Sequence, residues 1–368
     1  MVSNPDRAVI SALGPAERRF PFPAPVFAGV VAGFLAIQGF PAPAPAQEQA
    51  ENGEIPLLGL PIRCRPGRDC WLVNYVDMDP GPGIRDYACG GRTYDGHKGT
   101  DIAIRDLKAM QRGVPVLAAA PGVVRSTRDG MKDIDFSQKG APGIKGRDCG
   151  NGVLLIHDDG WETQYCHMRR GSVAVRTGDA VKRGQEIGRV GNSGRAQFPH
   201  IHLSVRLNKQ VVDPFAGPGR KKKCGLGPSP LWQKSALKAL GGETTALYNA
   251  GFSGKRPDPR AARAGLLGGK RLSPKSPALA LWADMFWVQA GDKLTFRIFD
   301  PSGKAMARRS FPIKKTQARR FVFVGKKRKL KAWPTGTYRG EITLVREGKG
   351  KTLTLKEERT VDVTVPGR

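Results

Sequence analysis

The chain has 368 residues, a length that allows one to three domains, and it carries 61 Lys and Arg against 32 Asp and Glu for a formal net charge of +29 at pH 7. Residues 216–368 hold most of that charge, 34 basic against 10 acidic side chains, and a field of that sign attracts polyanions such as nucleic acid, anionic lipid or an anionic cell-wall polymer. The blocks Arg220–Lys223 and Lys326–Lys329 come with no nucleic-acid-binding motif, which excludes nucleic acid as the expected partner.

In chain order, Arg18 and Arg19 precede an apolar stretch from Val26 to Phe40, followed by the small-residue run Pro41–Gln47. This is the pattern of a signal peptide over residues 1–46, cleaved after Ala46. The apolar stretch is shorter than the roughly 20 residues that span a bilayer as a helix, so no stable membrane span is expected. Residues 47–60 read as a polar tether. From 61 to 215 the chain is short β-rich runs separated by Gly or Pro: Val114–Ala119, Val123–Thr127, Val153–His157, Glu162–His167, Val173–Val175, Ile187–Val190 and Ile201–Leu207. One short helix is predicted over Asp106–Arg112. The polar, Gly-rich segment Gly130–Gly150 interrupts the rhythm, and a loop of that length inside a domain is commonly functional.

Residues 216–276 read as a basic linker, with a short helix capped by Ser229 and opened by Pro230, then loop from about 253. Strands return in the last segment, 277–368. They are Leu294-x-Phe296-x-Ile298, Phe321-x-Phe323, Tyr338–Val345 and Thr352–Val365, with a turn at Asp300–Gly303. Alternation with tight turns predicts a small immunoglobulin-like β-sandwich there, and the whole chain is expected to be mainly β.

Six cysteines in a chain with an export signal fit disulfides better than metal ligation, and there is no Cys-x-x-Cys. Cys64 and Cys70 close a short loop, and Cys149 and Cys166 flank one hairpin. Elimination would leave Cys89 with Cys224. Six cysteines allow about fifteen pairings, and sequence alone does not choose among them.

The chemistry concentrates in four of the five histidines and one carboxylate. Gly96–Asp101 contains His97-x-x-x-Asp101, and Pro199–Leu203 contains His200-x-His202. Imidazole and carboxylate suit Zn²⁺, whose catalytic sites keep three protein ligands and one open position. His200 and His202 lie in an alternating apolar run, so a strand would turn both to the same face. The remaining histidine, His157, sits at a hairpin turn and reads as structural. No His-Glu-x-x-His helix occurs, which excludes a thermolysin-like site.

His97-x-x-x-Asp101, Tyr165-Cys166-His167 and His200-x-His202, in this order, resemble the three signatures of the LytM/lysostaphin-type zinc metalloendopeptidases. Gly178–Gly188 is similar to that family's Gly-Asp-x-Val-x-x-Gly-Gln-x-Ile-Gly segment. The resemblance covers roughly residues 90–215. It implies an antiparallel, barrel-sandwich-like β-sheet domain over 61–215 with a groove across one face. It also implies hydrolysis of peptide cross-links in peptidoglycan through a zinc-activated water. By position, His97, Asp101 and His202 would hold one Zn²⁺, and His167 and His200 would be the catalytic histidines. The expected partners are peptidoglycan stem peptides and, through the basic C-terminal domain, an anionic cell wall. The expected location is the periplasm or the exterior. A chain ending near Phe215 is expected to keep the metal and the chemistry. The alternative, a catalytically silent regulator that activates a partner amidase, predicts loss of at least one of the five site residues, and none is lost.

Overall fold

The computed structural model describes residues 57–136, 144–219, 224–242, 245–348 and 350–365. The expected signal peptide, most of the tether and the block Arg220–Lys223 lie outside the described residues. Among the described residues no helix is long and apolar enough to cross a membrane.

The first half contains β1 (Cys70–Asn74), β2 (Thr100–Ile104), α1 (Leu107–Arg112), β3 (Pro115–Leu117), β4 (Gly122–Arg128), β5 (Asn151–Ile156), β6 (Trp161–Met168), β7 (Ala180–Val181), β8 (Glu186–Arg189), β9 (His200–Leu207) and β10 (Gln210–Val211). The main sheet runs β1-β2-β9-β6-β5-β4-β7, with β10 on β9 and a separate β3-β8 pair, and every pairing is antiparallel. Strand β9 shows why the sequence folds this way. Ile201, Leu203 and Val205 alternate into the core, and the intervening residues take the opposite face. Helix α1 starts where predicted, because the Asp106 carboxylate accepts from the Ala109 amide as its N-cap. Val173–Val175, expected as a strand, is irregular.

The stretch expected as linker is instead divided between two cores. Leu231, Trp232, Ala236 and Leu240 join the first core beside Leu58, Ile102, Tyr165 and Phe215. Helix α2 (Lys234–Leu240) begins after Gln233, not at Ser229. Leu58, within the expected tether, is fully buried and donates its amide to Leu231 O.

The second half contains β11 (Ala246–Ser253), α3 (Pro259–Arg263), β12 (Arg271–Leu272), β13 (Ala278–Val288), β14 (Lys293–Phe299), β15 (Ala305–Pro312), β16 (Gln317–Lys327), β17 (Gly336–Gly348) and β18 (Lys351–Val363). Two sheets, β11-β13-β16 and β12-β18-β17-β14-β15, share one core of Phe252, Leu281, Phe296, Ile342 and their neighbours. The first strand of these two sheets is thus β11, inside the span read as linker.

A third apolar cluster joins the halves: Trp71, Val73 and Ala103 from β1 and β2 pack with Ala246, Tyr248, Phe286 and Trp287 from β11 and β13. Tyr248 stacks on Phe286 with ring centroids 4.0 Å apart. The described residues belong to one compact unit.

Disulfides join Cys64 to Cys70, Cys89 to Cys224 and Cys149 to Cys166, and no described cysteine is free. His157 lies away from the other histidines, with Nδ1 2.6 Å from Pro121 O and Nε2 2.8 Å from Thr163 Oγ1. Burial lowers its pKa from the ordinary 6.5. A histidine held neutral in the fold favours the unfolded chain once that chain protonates. Its contribution is therefore present above pH 6.5 and is lost as pH falls below it. Urea melts from pH 7.5 to 5.5 should show a smaller stability loss for His157→Gln than for the parent. Equal slopes would remove His157 as the cause.

Candidate active site

Strand β9 is the axis of the site, because its two neighbours each deliver a functional residue to its polar face. Asp101 of β2 sits directly opposite His202, and Ala103 opposite His200. On the other side Cys166 of β6 pairs with His202, which brings the adjoining His167 to the same end. His167 adopts φ +64, and its amide donates to Cys149 O. A left-handed backbone at a non-glycine residue stores strain of about 1–3 kcal/mol and persists where the surroundings over-determine it. Here the Cys149–Cys166 disulfide closes beside it. His97 arrives from the turn before β2, on a loop tied down by the Gly96 amide donating to Asp77 Oδ2.

Gly99 explains the glycine in His97-Lys98-Gly99. A Cβ there would lie 2.5 Å from His202 Nε2 and 2.7 Å from Leu203 O, so only a residue without one lets the imidazole lie against the chain.

For neutral rings, the outer hydrogen bonds assign the tautomers. His97 Nδ1 is 2.6 Å from Tyr75 O, an acceptor only, so Nδ1–H donates and Nε2 keeps a lone pair. Ser204 Oγ donates to Lys98 O at 2.7 Å, so it accepts from His202 Nε2–H at 3.0 Å and leaves Nδ1 with the lone pair. Those two nitrogens lie 3.1 Å apart. The Asp101 carboxylate stands 3.2 Å from His97 Nε2 and 2.8 Å from His202 Nδ1, and it accepts from Asn74 Nδ2 at 2.8 Å. His97, Asp101 and His202 each offer one ligand atom, and these atoms lie within 4.8 Å of one another, so the group could hold a metal ion. Burial would lower the His97 pKa, but the adjacent Asp101 carboxylate outweighs it and the net direction is up. Burial would raise Asp101, yet His97 and His200 drive it well below the ordinary carboxylate value. The donor set fits a metal: two nitrogens and a carboxylate, with outer ring nitrogens held by Tyr75 O and Ser204.

His167 and His200 form a second pair, with ring centroids 4.6 Å apart. His167 Nδ1 donates to Ser193 O and His200 Nδ1 to Phe198 O, each at 2.8 Å, so each presents an unprotonated Nε2. Burial, reinforced for His167 by the neighbouring His200 and His202, holds both pKa values down. His200 Nε2 is 3.7 Å from Asp101 Oδ1. All five residues singled out in the sequence thus come together, two as neutral bases beside three converging donors.

Sequence reasoning missed the residues that orient them. Ser204 was accessible, since it follows His200 and His202 at the same period of two. Asn74, Tyr75 and Ser193 gave no local signal. The site opens into a cleft of about 320 Å³ whose lining includes Tyr94, Asp101, Phe136, Arg195 and His200. Phe136, at the described start of the Gly130–Gly150 segment, lies on the cleft, with Arg195 over its ring and 2.6 Å from Asp148.

Over part of its length the chain is similar to known proteins. The chain is 34% identical over 122 residues to the DD-carboxypeptidase/endopeptidase Mpg of Neisseria meningitidis serogroup B, across 33% of this chain and 22% of that protein. It is 34% identical over 117 residues to the peptidoglycan DD-endopeptidase ShyA of Vibrio cholerae, across 32% of this chain and 22% of that protein. The chain thus spans about a fifth of the length of these curated relatives. The catalytic domain of the antimicrobial peptidase lysostaphin from Staphylococcus simulans is 25% identical, with a TM-score of 0.25 over 38% of this chain and 85% of that one. The family model described as Peptidase family M23 matches residues 95–214, a span that holds all five site residues. Residues 95–214 are a Peptidase family M23 domain, of the LytM/lysostaphin type.

Proposed function

We propose that the protein is an exported zinc metalloendopeptidase that hydrolyses peptide cross-links of bacterial peptidoglycan. The observation that carries this reading is the juxtaposition of His97, Asp101 and His202, their lone pairs converging, with the neutral Nε2 atoms of His167 and His200. His97 Nε2, Asp101 and His202 Nδ1 would hold the zinc, which when bound supplies Lewis acidity toward water and a peptide carbonyl. The chain's own work is proton handling. As water adds to the scissile carbonyl carbon, one Nε2 of the histidine pair accepts its proton. That imidazolium then returns the proton to the amine nitrogen as the C–N bond breaks. Burial serves both steps, because it keeps the pair unprotonated at neutral pH and keeps bulk water from competing.

The Vibrio cholerae relative named a peptidoglycan DD-endopeptidase supports the substrate class, and three disulfides favour an oxidising compartment. Digestion of purified sacculi is the test. Mass spectrometry should show cross-linked muropeptides falling to monomers, with about one zinc per chain by elemental analysis. Unchanged cross-links with the metal loaded would overturn the substrate class.

The basic C-terminal domain would hold the enzyme on the wall. It carries a net +24 over residues 216–368, and a cavity of about 540 Å³ is lined by Lys326, Lys327, Lys329, Trp333 and Tyr338. Cosedimentation with sacculi should weaken steeply with salt, since exposed charges are screened beyond about 10 Å at 0.1 M. Binding that is flat across a salt series would point to a protein partner instead.

A further inference from the structure

The C-terminal domain forms part of the catalytic cleft itself. Phe286 and Trp287 of β13 and Ala318 and Arg319 of β16 line the same space as Asp101 and His200. This wall is fixed in place. Trp287 sits at φ +49, an outlying backbone for a bulky residue. Its carbonyl accepts from Thr245 Oγ1 and from Arg346, itself paired with Asp292. Its indole Nε1 donates to Val73 O, and the next residue, Asn74, is the one that orients Asp101. A strained residue held from several sides and placed on a cleft is where function is to be sought.

Arg319 is the chemically informative member. Its guanidinium lies over the rings of Phe198, Tyr248 and Phe286, within 5.8 Å of each centroid. Nε and Nη2 donate to Tyr248 Oη, and Nε lies 3.5 Å from Asp284 Oδ2. Burial keeps that phenol neutral by raising its pKa. The fully buried Asp284 also pairs with Arg263, so two guanidinium groups share one carboxylate and leave a net positive charge. Nη1 of Arg319 makes no hydrogen bond among the described residues. The group is thus held planar on one edge, with donors left on the other, which is the form suited to a carboxylate. Phe198, which it covers, is the residue whose carbonyl orients His200.

We propose that Arg319 binds a free carboxylate of the peptide substrate close to the scissile bond, so that the C-terminal domain sets substrate preference as well as location. This rests on the peptidase reading and adds the substrate's charge to it.

The test uses the full chain, zinc-loaded, in a His167→Ala background so that the probe is not consumed. The probe is the fluorescently labelled cross-linked peptide released from sacculi, as the free acid and after carbodiimide amidation of its carboxylates. Anisotropy should show the acid form bound at least about tenfold more tightly than the amide. Arg319→Gln should bring the two within about twofold, and Arg319→Lys should retain an intermediate preference. Arg320→Gln removes the same charge one residue on, at an exposed site bonded to Gln317, and should leave the preference intact. A purely structural role for Arg319 would weaken both forms alike and leave their ratio unchanged. The proposal is overturned if the parent shows no preference, if the preference survives Arg319→Gln, or if Arg320→Gln abolishes it equally. Hydrolysis of the acid peptide by the unmodified enzyme is scored separately. Cleavage without an Arg319-dependent preference sinks this inference alone, whereas neither binding nor cleavage sinks the peptidase reading with it.

Discussion

Replacing His167 or His200 with Ala is expected to cut cross-link hydrolysis about 10²–10⁴-fold, the range supplied by a positioned acid–base group, while zinc stays near one equivalent per chain. The division follows from which atoms are committed. His167 and His200 spend Nδ1 on the carbonyls of Ser193 and Phe198 and present Nε2 beside the donor cluster, not within it. His97→Ala and His202→Ala should behave differently, losing both metal and activity, because each removes one of three converging donors. Asn74→Ala should fall between these extremes, since it frees Asp101 Oδ2 from its only side-chain amide donor among the described contacts. Elemental analysis and steady-state kinetics on the same preparations separate the classes. Loss of zinc from the His167 and His200 variants to the extent seen for His97→Ala would show that the two roles had been divided wrongly.

Ending the chain after Phe215 is expected to destabilise the peptidase domain severely, contrary to the expectation that this segment stands alone. The cut removes Leu231, Trp232, Ala236 and Leu240 from its core. It also removes Cys224, whose bond to Cys89 closes a loop with sequence separation 135. Losing a buried Trp costs about 3–5 kcal/mol, and chain entropy puts a loop of that length near 5 kcal/mol. Either loss is a large fraction of the roughly 5–15 kcal/mol that holds a domain folded. Single changes isolate the terms: Trp232→Ala and the Cys89→Ser, Cys224→Ser pair should each lower the urea midpoint markedly in the full chain. A chain ending at Phe215 that melts cooperatively at the parent's midpoint, with zinc bound, would refute the account. Ending it instead after Leu240 restores the core but still removes the Val73 anchor that Trp287 provides.

The sequence by itself determined which five residues the fold would bring together and most of the first sheet. Motif spacing identified the five site residues, and period two in Ile201, Leu203 and Val205 identified β9 and the face its histidines take. These signals are legible because each depends on residues that are local in the chain or that only one chemistry brings together. Ser204 belonged to the same signal. The disulfide partners were guessed from loops and elimination, but only folding chose among the pairings. Strand β13 was missed for a different reason. From Leu279 to Val288 it is buried at every position, facing the core shared by the two C-terminal sheets on one side and, at Phe286 and Trp287, the first half of the chain on the other. A strand covered on both faces has no polar phase, so alternation cannot reveal it. The same blindness hid the domain interface. Trp71, Val73, Tyr248 and Phe286 look like ordinary core residues until two sheets meet. Only the tertiary structure could place Arg319, whose charge reads as one of 61 in the chain, beside His200. It lies more than a hundred residues away in sequence, and packing alone brings it to the cleft.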